Sequence, residues 1–103
     1  MKTWQEQAAE LAEQYNLRHS PEVHALDLVS ELGEVAKELL LATNYGQRSA
    51  EFDDNLSAEL GDLLYSVCML AVSAEIDLDV AFTETLQKYQ QRFQQKGLTG
   101  SQS

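Results

Sequence analysis

Two stretches set what this chain can fold into. Asp27–Leu41, DLVSELGEVAKELLL, and Ala58–Ala71, AELGDLLYSVCMLA, carry apolar residues at the spacing of a helix face. Each interrupts its stripe with two acids three residues apart, Glu31/Glu34 in the first and Glu59/Asp62 in the second. At about 100° per residue, Asp27, Glu31, Glu34 and Glu38 share one narrow face. Such a face is costly, because like charges at i,i+4 destabilise a helix by about 0.2–0.5 kcal/mol per pair. Asp27/Glu31 and Glu34/Glu38 are two such pairs, and Lys37 relieves only part of the repulsion. In the second stretch Glu59 has Leu56 and Leu63 as its i−3 and i+4 neighbours, so it sits at the edge of the apolar stripe, with Asp62 one turn further around that border. Burying a carboxylate without a partner is expensive. Two helices aiming carboxylates at a common seam therefore point to a divalent cation between them. Taken alone, the first helix also reads as a solvated acidic face.

Hard oxygen donors in this number favour Mg²⁺, with Mn²⁺ as a substitute, over zinc. His19, His24 and Cys68 do not have the spacing of a zinc cluster. Gly33 and Gly61 each precede the second acid of their pair, inside helices where glycine costs about 1 kcal/mol relative to alanine. Tight helix packing and room for a ligand are equally good reasons for them.

The charge balance narrows the partners. Seventeen Asp and Glu against seven Lys and Arg give a formal net charge of −10 over 103 residues. Such a chain repels nucleic acid and anionic membrane surfaces, and binds an anion only through a cation or a local basic patch. No apolar run reaches the roughly 20 residues of a membrane span, and the N-terminus, MKTWQEQAAE, lacks the apolar core of a signal peptide. The single Cys68 makes no internal disulfide. These features lead us to expect a cytoplasmic protein. At this length a single small domain buries a smaller fraction of its surface than a large one, which makes oligomerisation a plausible supplement.

Local signals predict four helices and no sheet, an all-α, four-helix bundle-like fold. Thr3 and Glu6 form a capping box ahead of helix 1, Trp4 to Tyr15, whose stripe is Trp4, Ala8, Leu11 and Tyr15. Trp4 reads first as a core anchor; its alternative role is to stack on a ligand ring. Ser20 and Pro21 start helix 2, which runs to about Thr43 with Ala25, Leu28, Val29, Leu32, Val35, Ala36 and Leu39 as its stripe. Asn44-Tyr45-Gly46 stops it, with Gly46 in the left-handed region. A polar connection, 47–54, leads to helix 3, capped by Asp53 or Asp54 and ending near Ala74. Asp79 is expected to cap helix 4, striped by Phe82, Leu86, Tyr89 and Phe93 and closed by Gly97. Residues 1–97 form the domain and 98–103 a flexible tail.

At these acids the chain resembles the MazG-like family of all-α nucleoside triphosphate pyrophosphohydrolases. The resemblance lies in the order helix–ExxE–loop–ExxD–helix, Glu31-Leu-Gly-Glu34 then Glu59-Leu-Gly-Asp62, within SELGEVAKELL and AELGDLLYSV. It implies Glu31, Glu34, Glu59 and Asp62 as Mg²⁺ ligands. The implied reaction splits a nucleoside triphosphate between the α and β phosphates, giving a monophosphate and pyrophosphate, in house-cleaning or pool control. Glu34 or Glu38 would take the proton of the attacking water. Lys88 and Arg92, one turn apart on the last helix, would pair with phosphate oxygens, with Lys37 a weaker candidate. Trp4, His24, Asn55 and Tyr65 are the candidates to hold the base. The family's assembly implies a homodimer or homotetramer. One departure stands out: the motif is often written EExxE, and Ser30 occupies the first acidic position. That leaves in question a second metal or an outer-shell base. A phosphoribosyl-ATP pyrophosphohydrolase-like enzyme and a non-catalytic acidic helical binding module are the competing readings.

Overall fold

The computed structural model describes residues 1–96. The expected stop at Gly97 and the 98–103 tail lie outside the described residues. Four helices follow one another: α1 (Trp4–Tyr15), α2 (Pro21–Ala42), α3 (Asp54–Ser73) and α4 (Leu78–Lys96). No strand occurs among the described residues.

The start of each helix follows from local chemistry. Thr3 Oγ1 accepts from the Glu6 N–H at 3.1 Å and Glu6 Oε1 accepts from the Thr3 N–H at 2.9 Å, the reciprocal capping box. The Thr3 backbone N–H first, and then the Thr3 side chain, hold the Glu6 carboxyl below its ordinary value. Asn16 closes α1 in the left-handed region, φ 56°. Pro21 opens α2, although the Ser20 side chain makes no capping bond. Asn44, Tyr45 and Gly46 all take positive φ, 48°, 58° and 84°, so the α2 stop is three residues deep. Of these only Gly46 is free of the Cβ penalty. Asp53 caps α3 through its Oδ1, which accepts from the Asn55 N–H at 3.0 Å. The cap of α4 differs from expectation. Asp77, not Asp79, accepts the Val80 N–H at 3.2 Å. Its backbone carbonyl also takes the Ala81 N–H at 3.0 Å. The Gln5 amide oxygen takes the Leu78 N–H at 2.8 Å, so a side chain from α1 helps to set the start of α4.

Packing is centred on α3. α2 lies along it: the end of α2 shares a cavity wall with the start of α3, and Ser73 Oγ donates to the His19 carbonyl at 2.8 Å at the other end, so the two run antiparallel. α1 crosses α3 through Ala8 and Ala12, which with Cys68 and Met69 form the buried cluster. Small side chains at the crossing bring the two backbones close. The price is that Trp4, 69% exposed, is no core anchor, and Leu11 and Tyr15 are also in water. The predicted α2 stripe also divides. Val35 turns inward and Leu28 partly so, while Val29, Leu32 and Ala36 face outward. His24 is buried, and its Nε2 accepts the His19 N–H at 3.1 Å, a structural role. By length and composition α3 could cross a membrane, mean hydropathy 1.4. It is instead the helix on which α1 and α2 pack.

α4 buries no residue and does not lie along any other helix. Only its first residue, Leu78, leans on the core cluster. The chain exposes 7858 Å², whereas a folded monomer of 11.5 kDa exposes about 5800 Å².

Met69 is fully buried at the α1–α3 crossing. Met69→Ala is expected to cost about 2–5 kcal/mol, and Thr3→Ala about 1 kcal/mol through the lost cap. Urea unfolding followed by circular dichroism measures both, and Met69→Ala must show the larger loss.

Candidate metal centre

The antiparallel pairing of α2 with α3 brings Glu31 against Glu59 and Asp62. One carboxylate oxygen of each lies within 4.8 Å of those of the other two. Glu31 and Glu59 are half-buried and Asp62 is exposed. Oxygens on one octahedral Mg²⁺ lie about 2.9–4.2 Å apart, so small side-chain rotations would bring the three onto a common ion. The donor set is all carboxylate, the chemistry that suits Mg²⁺ or Mn²⁺.

Glu34 and Glu38 do not join the tight group, but both act on it. Partial burial raises the Glu59 carboxyl above its ordinary value, and the charges of Glu34, Asp62, Glu31 and Glu38 push it further, in that order. The charges that act on Glu59 are all negative. Lys37 is exposed on α2. Lys88 and Arg92 stand on the detached α4, each against the Tyr89 ring, 5.4 and 5.6 Å from its centroid.

Two cavities border α3, one of them reaching Glu38 at the end of the acidic row. Around the connection from α2 to α3, a cavity of about 380 Å³ is lined by Glu38, Arg48, Glu51, Phe52, Asp53 and Asn55 among others. Arg48 pairs with Glu51 at 3.4 Å, and Asn55 Nδ2 donates to Asp53 Oδ2 at 3.4 Å. Sequence reasoning passed over Arg48 and Phe52; the signal was there, since Arg48 is the one base of the 47–54 connection. The second cavity, about 410 Å³, lies between α1 and α3 and includes Trp4, Leu11, Gly61, Leu64 and Tyr65 in its wall. The Tyr65 hydroxyl is shielded from solvent and has no hydrogen-bond partner among the described residues. A Cβ added at Gly33 or at Gly61 would meet no atom within 4 Å. Within the chain, then, neither glycine serves tight packing.

The crowding at Glu59 has a calculable sign. Its raised pKa means that the folded state holds this proton more tightly than the unfolded state. Ionising Glu59 as pH rises through its raised folded value therefore destabilises the fold. Glu59→Gln is expected to keep or raise the thermal midpoint of the metal-free protein at neutral pH and to flatten that decline. The same variant must lose most of the midpoint rise that Mg²⁺ gives the wild type. A metal-free midpoint clearly below wild type at neutral pH would contradict the account.

Comparison with known proteins agrees with the fold. The family profile of the MazG nucleotide pyrophosphohydrolase domain matches residues 19–96. No curated protein sequence matches the chain. Among solved structures, the crystal structure of the Bacillus-conserved MazG protein, a nucleotide pyrophosphohydrolase, is similar, with 27% identity and a TM-score of 0.66. The match covers 86% of this chain and 90% of that one.

Proposed function

The chain belongs to the MazG nucleotide pyrophosphohydrolase family, and from that premise we propose that it hydrolyses nucleoside triphosphates between the α and β phosphates, giving a monophosphate and pyrophosphate. The observation that carries this reading is the convergence of Glu31, Glu59 and Asp62 within 4.8 Å at the α2–α3 seam. On this reading these three and Glu34 hold Mg²⁺ or Mn²⁺. A cation bound there would neutralise phosphate oxygens and polarise the phosphorus under attack. It would also let a chain of net charge −10 accept a polyanion.

The remaining roles belong to the chain's own groups. Glu34, exposed and beside the cluster, takes the proton of the attacking water, with Glu38 the alternative base. Lys88, Arg92 and Lys37 pair with phosphate oxygens. Asn55, on the first turn of α3, completes the proposed substrate-binding set together with Trp4. The enzyme works in the cytoplasm on free nucleotides, in house-cleaning or pool control. It assembles as a homodimer or homotetramer, which would cover two outward apolar faces. One is Phe82, Leu86, Tyr89 and Phe93 on α4; the other is Leu26, Val29 and Leu40 on α2.

Incubation of the protein with each NTP and dNTP plus Mg²⁺, followed by separation of products, tests the reaction. Monophosphate plus pyrophosphate is expected; diphosphate plus orthophosphate, or no turnover of any nucleotide, overturns the reading. Glu31→Gln and Glu59→Gln should each lower kcat/KM by about 100-fold or more. In sedimentation equilibrium the wild type should run at two or four times 11.5 kDa, and Leu86→Asp together with Phe93→Asp should shift it toward the monomer.

A further inference from the structure

We infer that the cavity around the α2–α3 connection receives the base of the nucleotide, with Phe52 stacked on the ring and Arg48 selecting bases that carry a ring carbonyl. This deepens the pyrophosphohydrolase reading and rests on it.

The cavity is the end of the acidic seam. On α2, Glu31, Glu34 and Glu38 fall on one face, which Leu41 continues; on α3, Asn55, Glu59 and Asp62 do the same. The helices run antiparallel, so Glu38 and Asn55 stand at the same end of the two rows, and both line the cavity. Glu38 is common to cavity and seam, since its charge acts on Glu59. At the opposite end the α3 row passes from Asp62 to Ser66 and Met69, which are buried. A substrate whose α phosphate sits at the seam therefore has a walled space to extend into at the Glu38 end. At about 1.5 Å per residue, Glu38 and Asn55 lie about 6 Å along their helices from Glu34 and Glu59, the scale of one sugar. The cavity holds about 380 Å³, within the range of about 300–1,000 Å³ usual for small-molecule sites.

Charge decides which end of the nucleotide enters. Glu38, Glu51 and Asp53 set three carboxylates against one guanidinium, that of Arg48. The surplus of negative charge repels pyrophosphate. A base is uncharged, and its N–H groups donate to carboxylates. Glu38 is half-buried and makes no hydrogen bond or ion pair among the described residues, so its oxygens are available to such donors. Phe52 puts an aromatic ring, 63% exposed, in the same wall. Every base has a flat face to lay on it. Arg48 supplies the discrimination. Its one partner is Glu51 at 3.4 Å, and both side chains of that pair are open to water. An exposed pair of this kind holds weakly, and a guanidinium presents five N–H donors, so Arg48 has donors left for a ring carbonyl. Guanine, uracil, thymine and cytosine carry such an oxygen; adenine does not.

The full-length protein in Mg²⁺ is titrated calorimetrically with GMP, UMP, CMP and AMP and, separately, with inorganic pyrophosphate; kcat/KM is measured for the four triphosphates. The three carbonyl-bearing bases are expected to exceed adenine by about 10-fold in affinity or in kcat/KM, the worth of one charge-assisted hydrogen bond. Arg48→Ala removes that advantage and leaves AMP and pyrophosphate as they were. Phe52→Ala weakens all four nucleotides by about 10-fold. Phe52→Tyr restores them, and neither Phe52 variant alters pyrophosphate. Both positions are exposed, so each variant should melt as the wild type does.

Arg48→Ala that weakens pyrophosphate and every nucleotide alike gives Arg48 to the phosphates and overturns the assignment. Adenine handled as well as the other bases by the wild type overturns it too, as do nucleotides that ignore Phe52→Ala. Each of these results leaves the pyrophosphohydrolase reading intact as long as hydrolysis proceeds. Absence of hydrolysis on any nucleotide is a separate result that removes the reading and this assignment together.

Discussion

Mutual repulsion among carboxylates at the α2–α3 seam is the constraint around which the rest of the molecule is arranged. Glu31, Glu59 and Asp62 stand within a few ångströms of one another, and Glu34 and Glu38 add to the field at Glu59. Nothing in the seam itself favours this. It persists because the two helices are packed along their length, with Val35 and the inward face of α3 buried, and because both ends of the pair are tied. The deep left-handed stop after α2 and the Asp53 cap fix one end, and the Ser73–His19 bond fixes the other. A cation at the seam would relieve that repulsion, and helix packing alone already holds Glu31, Glu59 and Asp62 together.

The same economy explains the sparse core. α1 meets α3 through alanines, so the contact is close but narrow, and the large side chains of α1 stay outside. α4 is joined to the rest by little more than Leu78 and the reach of Gln5, whose amide bridges the Ile76 carbonyl and the Leu78 N–H. The surplus of exposed apolar surface that results is concentrated on α4 and on the outward face of α2. The α2 face, Leu26, Val29 and Leu40, lies far from Glu31, Glu34 and Glu38 in helical angle, so covering it would leave the seam open.

Two cavities of different character border α3. One cavity is charged and built on the connection between helices; the other is neutral, with walls on regular helix. A single helix, α3, contributes to the acid group and to both walls, so a change in its packing is felt in all three.

Much of this was legible in the residues. The four helices, the capping box at Thr3 and Glu6, the Gly46 stop and the Asp53 cap are decided within a few residues of chain, and periodicity with cap chemistry states them directly. The two acid pairs could be placed at a common seam because a helix turns by a fixed angle, and the resemblance to MazG-like enzymes rests on those same pairs. The sequence could not say which apolar residues are inside. Val29 and Val35, or Trp4 and Ala8, satisfy the same period, and only the angle at which α1 and α2 meet α3 sends one inward and leaves the other in water. Nor could it predict that Asp77 rather than Asp79 would cap α4, because the Gln5 side chain that fixes that start comes from the far end of the chain. It likewise hid the unpartnered hydroxyl of Tyr65 and the open floor at Gly61, since a cavity is a property of two surfaces that do not fill the space between them. The chain by itself determined where helices begin and end and which acids they carry. The tertiary structure decided which of those acids touch and what lies beside them, because crossing angles depend on side-chain volumes distant in sequence.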